Sequence, residues 1–490
     1  MTAEPVRTYA GWRRSRGMGL FGLGSVQTVV VLGAVVTMVI SGSLSLGLLA
    51  VTAPPALIVV IVMVARWDGV SLAAGIAQRV RWQAGSRRGY TRYHSGPAVT
   101  GDHGWQLPGV LAATRLLAVD DPGGDFGVVH HQRLGTMAVT LRCAATSTWL
   151  ADASTTDTWV ASWGGWLANL GYLPMIDHVA VTVDTCPDQG SRLAEHVGRR
   201  IMPHSPASAQ RVLRRLVEVS PAAAADVETR VTITFRPAAS PARPRTIDEA
   251  LQEIARTLPG LQDALGSCGL TVLGRATTAQ LAATVRGAFD PAARADLARL
   301  SPLDLDRWVD WSSCGPVFAE EHIDRYVHDS GVSVSWAWHE APRQSVHADV
   351  LARLMAPGAY PRRVTLLYRP LPAGEAARAV ESEVNAAVFR AAYNRAKRRD
   401  ETARDLADRE RAQQTAREEA VGAGVGLLSL WVTTTVLDPD DLGRAVADVE
   451  SRADIAKIRL RRQRAAQSTG FAATLPCGIC PPQLARQWPR

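Results

Sequence analysis

No charged residue occurs between Gly17 and Ala65, and two apolar runs lie inside that span, residues 26–40 and 46–64. Ser41-Gly42-Ser43 separates them as a turn signal. A single helix crosses about 30 Å of hydrocarbon with about 20 residues, so the span suits two crossings and is too long for one. Backbone groups in lipid must be bonded within the segment, which favours two helices joined by a tight turn. Pro54-Pro55 is expected to kink the second helix or to mark where its regular part begins. A cleaved signal sequence would need only one run. Arg7, Arg13, Arg14 and Arg16 precede the pair, and Arg66, Arg79, Arg81, Arg87, Arg88 and Arg92 follow it, while the turn carries no charge. Under the positive-inside rule both termini then lie in the cytoplasm, with Trp12 and Trp67 at the interfaces.

Past residue 95 the pattern changes to alternating strands and helices. Residues 125–143 read as a hairpin turning at 132–135, and Trp159, Trp163, Trp166, Leu167 and Leu170 recur at helical spacing. Residues 177–184 alternate as a strand, a helical stretch follows to 219, and 229–235 is the next strand. Thr246 and Glu249 form a capping box for a helix to 265. A strand at 269–273 and a helix at 277–287 complete the first cadence. A similar cadence returns with strands at 331–338, 363–368 and 428–437. Helices are expected at 345–355 and 375–420, and a last one is capped by Asp438-Pro439. The expected fold class is a membrane-anchored α/β (α+β) protein. A two-helix transmembrane hairpin leads into a cytoplasmic body of ferredoxin-like βαβ units with a long C-terminal helix. The boundaries follow: a basic N-terminus over 1–24, the hairpin over 25–66, a basic linker over 67–98, lobes over 99–290 and 291–475, and a tail over 476–490.

Composition adds little to this picture and removes some of it. Hydrophobic residues make up 47% of the 490 positions, enough for a sizeable core besides the hairpin. The net charge of +8 is almost wholly arginine, since Lys397 and Lys457 are the only lysines. Neither lies in a glycine-rich turn, so the lysine that grips the β- and γ-phosphates in a P-loop is missing and a standard P-loop ATPase is excluded. Gly17, Gly19 and Gly22 match G-x-G-x-x-G but run straight into the apolar span, without the preceding strand a dinucleotide site needs. Of the six cysteines only Cys477 and Cys480 are close and the others are scattered, which reads as reduced cytoplasmic thiols.

The remaining chemistry is thin. Glu321, Asp324 and His328 would share a helical face, with Glu320, His322 and Asp329 nearby, and could hold a metal there; a solvated acidic face is the plainer reading. His339-Glu340 opens like a zinc-protease helix, but Arg343 and Pro342 break the pattern. Cys477 and Cys480 form a lone CxxC, two ligands short of a structural zinc site. His130 and His131 are neighbours on a strand and point to opposite faces. Arg395, Lys397, Arg398 and Arg399 could touch the phosphates of DNA or lipid, or form a solvated helical face. No catalytic, cofactor-binding or metal-ligating residue is assigned, and no cofactor is expected.

The segment from Gly11 to Gly24 (GWRRSRGMGLFGLG), the apolar pair and the α/β body together resemble a family of actinobacterial integral membrane proteins of secretion and conjugation systems. The Gly127-Val128-Val129 strand, the Trp-rich helix with the strand after it, and the Leu270 strand leading into 277–287 resemble EccE of type VII secretion. The strand LSLWVTTTVL, its following helix and residues 470–476 (GFAATLP) are similar to the non-ATPase N-terminal region of VirB-class conjugation ATPases, and the hairpin is similar to a PrgI-like membrane subunit. The resemblance rests on packing patterns and carries no active site across. It implies an inner-membrane structural component in a hetero-oligomer, with other membrane subunits and a cytoplasmic ATPase as partners. The alternatives are a membrane-bound metal-dependent transferase and a basic DNA-contacting module.

Overall fold

A computed structural model describes residues 9, 25–67, 69–96, 105–146, 151–187, 197–198, 200–202, 204–219, 225–342, 344–396 and 403–487. The chain opens with α1 (Ser25–Leu44) and α2 (Leu46–Val64), packed on each other as a hairpin. The turn falls at Ser45 and not at residues 41–43. Ser41 and Ser43 donate their hydroxyls to the Thr37 and Ile40 carbonyls and stay helical, whereas Ser45 Oγ caps α2 by accepting from the Leu48 amide at 3.1 Å. Pro54 and Pro55 lie inside α2, which continues past them. Both helices are long and apolar enough to cross a membrane, and α2 has no buried residue.

A two-stranded ribbon, β1 (Arg66–Trp67) with β2 (Val70–Ser71), and α3 (Leu72–Arg87) lead to β3 (Arg92–His94). The first half of the body then runs β4 (Thr114–Val119), β5 (Phe126–His131), β6 (Thr136–Ala145), α4 (Ala153–Leu170), β7 (Ile176–Pro187), α5 (Ala207–Val219), β8 (Ala225–Phe235), α6 (Ile247–Gly266), β9 (Leu270–Arg275) and α7 (Thr278–Phe289). Short helices α8 (Arg294–Leu297) and α9 (Pro302–Trp308) connect to the second half. That half runs β10 (Phe318–Glu321), β11 (Tyr326–His328), β12 (Gly331–Glu340), α10 (Ala352–Met355), β13 (Arg362–Pro370), α11 (Ala373–Ala396), α12 (Ala403–Ala420), β14 (Gly426–Val436), α13 (Leu442–Ile455), β15 (Arg459–Arg462), α14 (Gln467–Ala473) and α15 (Pro481–Gln487).

The two halves repeat one topology. In the first, β4 and β5 form a meander with β6, β8 lies between β6 and β7, and β9 adds to β6 beyond β5. In the second, β10 and β11 lead into β12, β14 lies between β12 and β13, and β15 adds to β12. All neighbouring strands are antiparallel, and the halves share one 13-stranded sheet because β7 pairs with β13. The middle pair of that ladder, Thr182 and Thr365, marks a local twofold axis, and their hydroxyls are 2.9 Å apart. Equivalent residues recur around it. His131 and His328 each end the second meander strand, and Arg275 and Arg462 sit opposite Leu141 and Trp336. Both guanidinium groups stack on a ring, Arg275 on Phe126 and Arg462 on Trp336.

Strand alternation divides the cores between the two sheet faces. On one face, α4 and α6 bring Trp166, Leu170, Ile254 and Leu258 onto Val139, Val179, Val231 and Ile233. The second half matches this with Leu354, Val449 and Ala453 on Val334, Trp336, Val364 and Val432. Each fully buried side chain of this size contributes about 1.5–3 kcal/mol. On the opposite face α7, α14 and the following segment build another core from Leu281, Val285, Phe289, Phe471, Leu475, Cys477, Ile479 and Leu484. Residues expected as a tail thus pack against the sheet. Gly478 comes so near (φ 65°) that a Cβ there would lie 2.8 Å from Ala138 Cβ.

Three local expectations change. Over 345–355 only Ala352–Met355 is helical, and the helix expected over 375–420 is described as α11 and α12, with 397–402 outside the described residues. At Thr246 the hydroxyl accepts from the Glu249 amide, but the Glu249 carboxylate takes the Arg245 amide instead of closing the box. The reciprocal box stands at Thr277 and Gln280, in front of α7.

Candidate functional site

Where β6, β8, β7 and β13 run side by side, their face toward α7 and α8 opens into a groove of about 630 Å3. Alternation places Arg142, Arg230, Asp184 and Arg363 on this face, beside the paired threonines of the twofold axis. From the other side, Asp290 ends α7, a short turn follows, and Arg294 at the start of α8 reaches back. Asp184 bridges two guanidinium groups: its Oδ1 accepts from Arg294 at 3.1 Å and its Oδ2 from Arg230 at 3.2 Å. Arg230 also donates to Glu228 at 3.0 Å. Arg363, the cross-strand partner of Asp184, donates through Nε to Thr474 Oγ1 at 3.2 Å and stacks 4.8 Å from the Phe471 ring; its Nη2 is buried with no hydrogen-bond partner.

Full burial would raise the Asp184 carboxyl, but the charges of Arg294, Arg230 and Arg363 outweigh it and hold the group at about 2. Arg294 is raised by the Asp184 charge. Burial brings Arg363 down to about 10, Asp184 pulling the other way. The groove wall therefore holds permanent charge of both signs in a low-dielectric setting. Cys186 and Gln280 also line it.

The residues singled out in the sequence are dispersed. Glu320–Asp329 is a hairpin of β10 and β11 and not a helix; Glu321 and His328 fall on the same sheet face, engaged with different partners, while Asp324 lies in the connecting turn. The segment is short strands pairing with β3 and β12, and β3 comes from the stretch expected as a linker. Glu320 pairs with Arg92 at 2.8 Å. Glu321 is turned inward, accepting from the amide and hydroxyl of Ser468, and burial raises its pKa. Asp324 lies at the turn beside Arg325. His328 is wholly buried between the Phe289 carbonyl (2.6 Å) and Ser333 Oγ (2.8 Å), and burial brings it down to about 4.

His131 accepts from the Leu134 amide through Nδ1 and donates through Nε2 to the Val110 carbonyl, a turn-closing role. His130 points the other way, and burial lowers both. His339 and Glu340 end strand β12, not a helix. Cys477 and Cys480 are buried core thiols, and burial pushes Cys477 up to about 12. Among the described residues no three His, Cys, Asp or Glu side chains form a metal-binding group. Arg395 is on α11, whereas Lys397, Arg398 and Arg399 lie outside the described residues, as do Trp12 and the arginines before α1.

Sequence reasoning passed over Asp184, Arg230 and Arg363. The available signal was a charge at an inward position of otherwise apolar or hydroxyl-bearing strands, in DHVAVTVD, TRVTITF and RVTLLY. The sequence comparisons leave the site to be read on its own geometry: no family model matches the chain, and no curated protein shows significant similarity to it.

Proposed function

We propose that this chain is a non-catalytic, membrane-anchored structural subunit of a bacterial secretion or conjugative DNA-transfer apparatus, type VII EccE-like or type IV-like, that docks a cytoplasmic ATPase. The observation that carries the reading is the α1–α2 pair: two uncharged helices of crossing length whose side chains are left uncovered by the body. A hairpin belonging to a soluble core would bury one face. Arginines flank the pair on both sides, which favours two crossings with both termini on the cytoplasmic side and the body there too. In each half the order β9-β6-β8-β7 or β15-β12-β14-β13, with helices between, supports a ferredoxin-like unit. Such a sheet offers large helical faces for partner subunits, and stable interfaces of this kind bury about 1,200–2,000 Å2.

The test is affinity purification of the full chain from detergent-solubilised membranes, with identification of what accompanies it. Recovery of a secretion- or conjugation-type ATPase supports the reading and selects the system. Finding the intact chain in the soluble fraction, or finding its body digested by protease added to intact cells, overturns it.

A further inference from the structure

The groove beside the twofold axis has a charge count that its own residues do not close. Four guanidinium groups (Arg142, Arg230, Arg294 and Arg363) and three carboxylates (Asp184, Asp226 and Glu228) line it, an excess of one positive charge. Both oxygens of Asp184, the buried acid, are already engaged by Arg294 and Arg230. Arg363, of which only 5% is exposed, keeps an Nη2 without a partner. A buried guanidinium left with an unpaired donor is costly, and its charge favours an anion nearby.

The local symmetry supplies a second, independent observation. The twofold axis carries the pair Asp184–Arg363 onto Ala180–Leu367. That related position is closed: Ala180 and Leu367 pack with Trp431 and Ala473 as an apolar cluster. One of two equivalent positions is thus plugged with an indole, and the other is charged and open. A purely structural joint would need no such difference.

We propose that the groove binds a phosphate group carried by a small soluble molecule, contacted by Arg142 and Arg294 and attracted by the buried charge of Arg363 behind them. Donors offered from β6 and α8, with the Arg363 charge on β13 behind them, suit a tetrahedral anion with several free oxygens. A planar carboxylate would duplicate what Asp184 already provides. The volume lies within the usual range for small-molecule pockets, about 300–1,000 Å3. Free phosphate and a nucleotide present the same chemistry, and the assay separates them.

The experiment uses the full chain in detergent micelles, with unfolding followed by tryptophan fluorescence during titration with inorganic phosphate, with ATP without added metal, and with citrate. Either phosphate compound should raise the unfolding midpoint by at least about 2 °C at saturation. Sodium chloride at matched ionic strength should not. Tighter binding of ATP identifies a nucleotide source, and equal binding identifies free phosphate. Ala295→Trp, which adds bulk to the groove wall without changing its formal charge, should abolish the rise. Arg294→Gln should weaken binding at least about tenfold, and it keeps the test open if the tryptophan variant does not fold. No rise with either phosphate compound, an equal rise with citrate, or an undiminished rise in a folded Ala295→Trp or Arg294→Gln chain overturns the proposal.

Discussion

Replacing Asp184 with asparagine removes a buried carboxylate at the junction of the two halves and leaves Arg230 and Arg363 almost buried beside it. The expected loss has two sources. Holding the carboxyl at about 2, against an ordinary 3.8, corresponds to roughly 2 kcal/mol of folding free energy at neutral pH. Leaving buried guanidinium groups without their counter-charge brings the total to about 3–5 kcal/mol. The folded pKa lies below the unfolded one, so the wild-type contribution is complete above about pH 4 and is lost as pH falls toward 2. About 1 kcal/mol should be gone by pH 3. Asparagine does not titrate, so its deficit relative to wild type should shrink over the same window. The assay is the unfolding midpoint of the full chain in detergent, wild type against Asp184→Asn, at pH 7, 5, 4 and 3. A midpoint drop of at least about 4 °C at pH 7, narrowing below pH 4, is expected. A drop under 1 °C, or one that stays constant down to pH 3, would show that the bridge adds nothing to the junction.

Other expectations are simpler. Trp336→Ala opens the core between β12 and α13, where the indole is fully buried and donates to Glu450, and should cost about 3–5 kcal/mol in the same unfolding assay. Thr277→Ala removes one side of the capping box on α7 and should cost about 1 kcal/mol, with Thr277→Ser close to wild type; equal losses in both would point away from the cap. Val35→Arg combined with Leu57→Arg places a charge near the middle of both α1 and α2, at about 2.5–3.5 kcal/mol each for insertion, so the double variant should leave the alkali-resistant membrane pellet; an unchanged pellet would deny that the pair spans. Cys143, raised to about 11, and Cys477, raised to about 12, should resist alkylation in the native chain at pH 8 and react once it is denatured, as mass spectrometry of labelled peptides would record.

Much of the body was legible because its strands are long and alternate cleanly. The strands now seen as β7, β8, β13 and β14 were located from the periodicity of VAVTV, RVTITF, RVTLLY and LSLWVTTTV. The meander strands β10 and β11 were hidden because four- and three-residue strands bearing Glu320, Glu321 and His328 leave too little alternation to compete with a helical reading. The segment after α14 looked like a tail for a related reason. Its burial depends on Gly478 meeting Ala138 across the sheet, a contact between residues 340 positions apart (478 − 138). The arginine groove was the least legible feature. Its charges come from β6, β7, β8, β13 and α8, and no local spacing brings them together. Only the register of β7 on β13 does so, and that register is a tertiary fact.

The internal repeat explains why such a site can exist here. Two units joined through antiparallel β7 and β13 make the geometry of a twofold dimer, in which any feature beside the axis must occur twice. With separate identical chains, an Asp–Arg pair would face its own copy across Thr182 and Thr365, and neither position could be sealed without sealing the other. Covalent fusion removes that constraint. In this chain the symmetry survives where it organises the backbone, in the threonine pair, the His131 and His328 turns and the stacked Arg275 and Arg462. It fails at the flanking side chains, where Trp431 closes one position and Arg363 keeps the other polar. The sealed position stabilises the joint through apolar packing, and the open one through the Asp184 bridge to Arg230 and Arg294. The unpaired Arg363 donor can then persist beside the axis because the apolar packing across the same strand pair and the Asp184 charge together offset its cost.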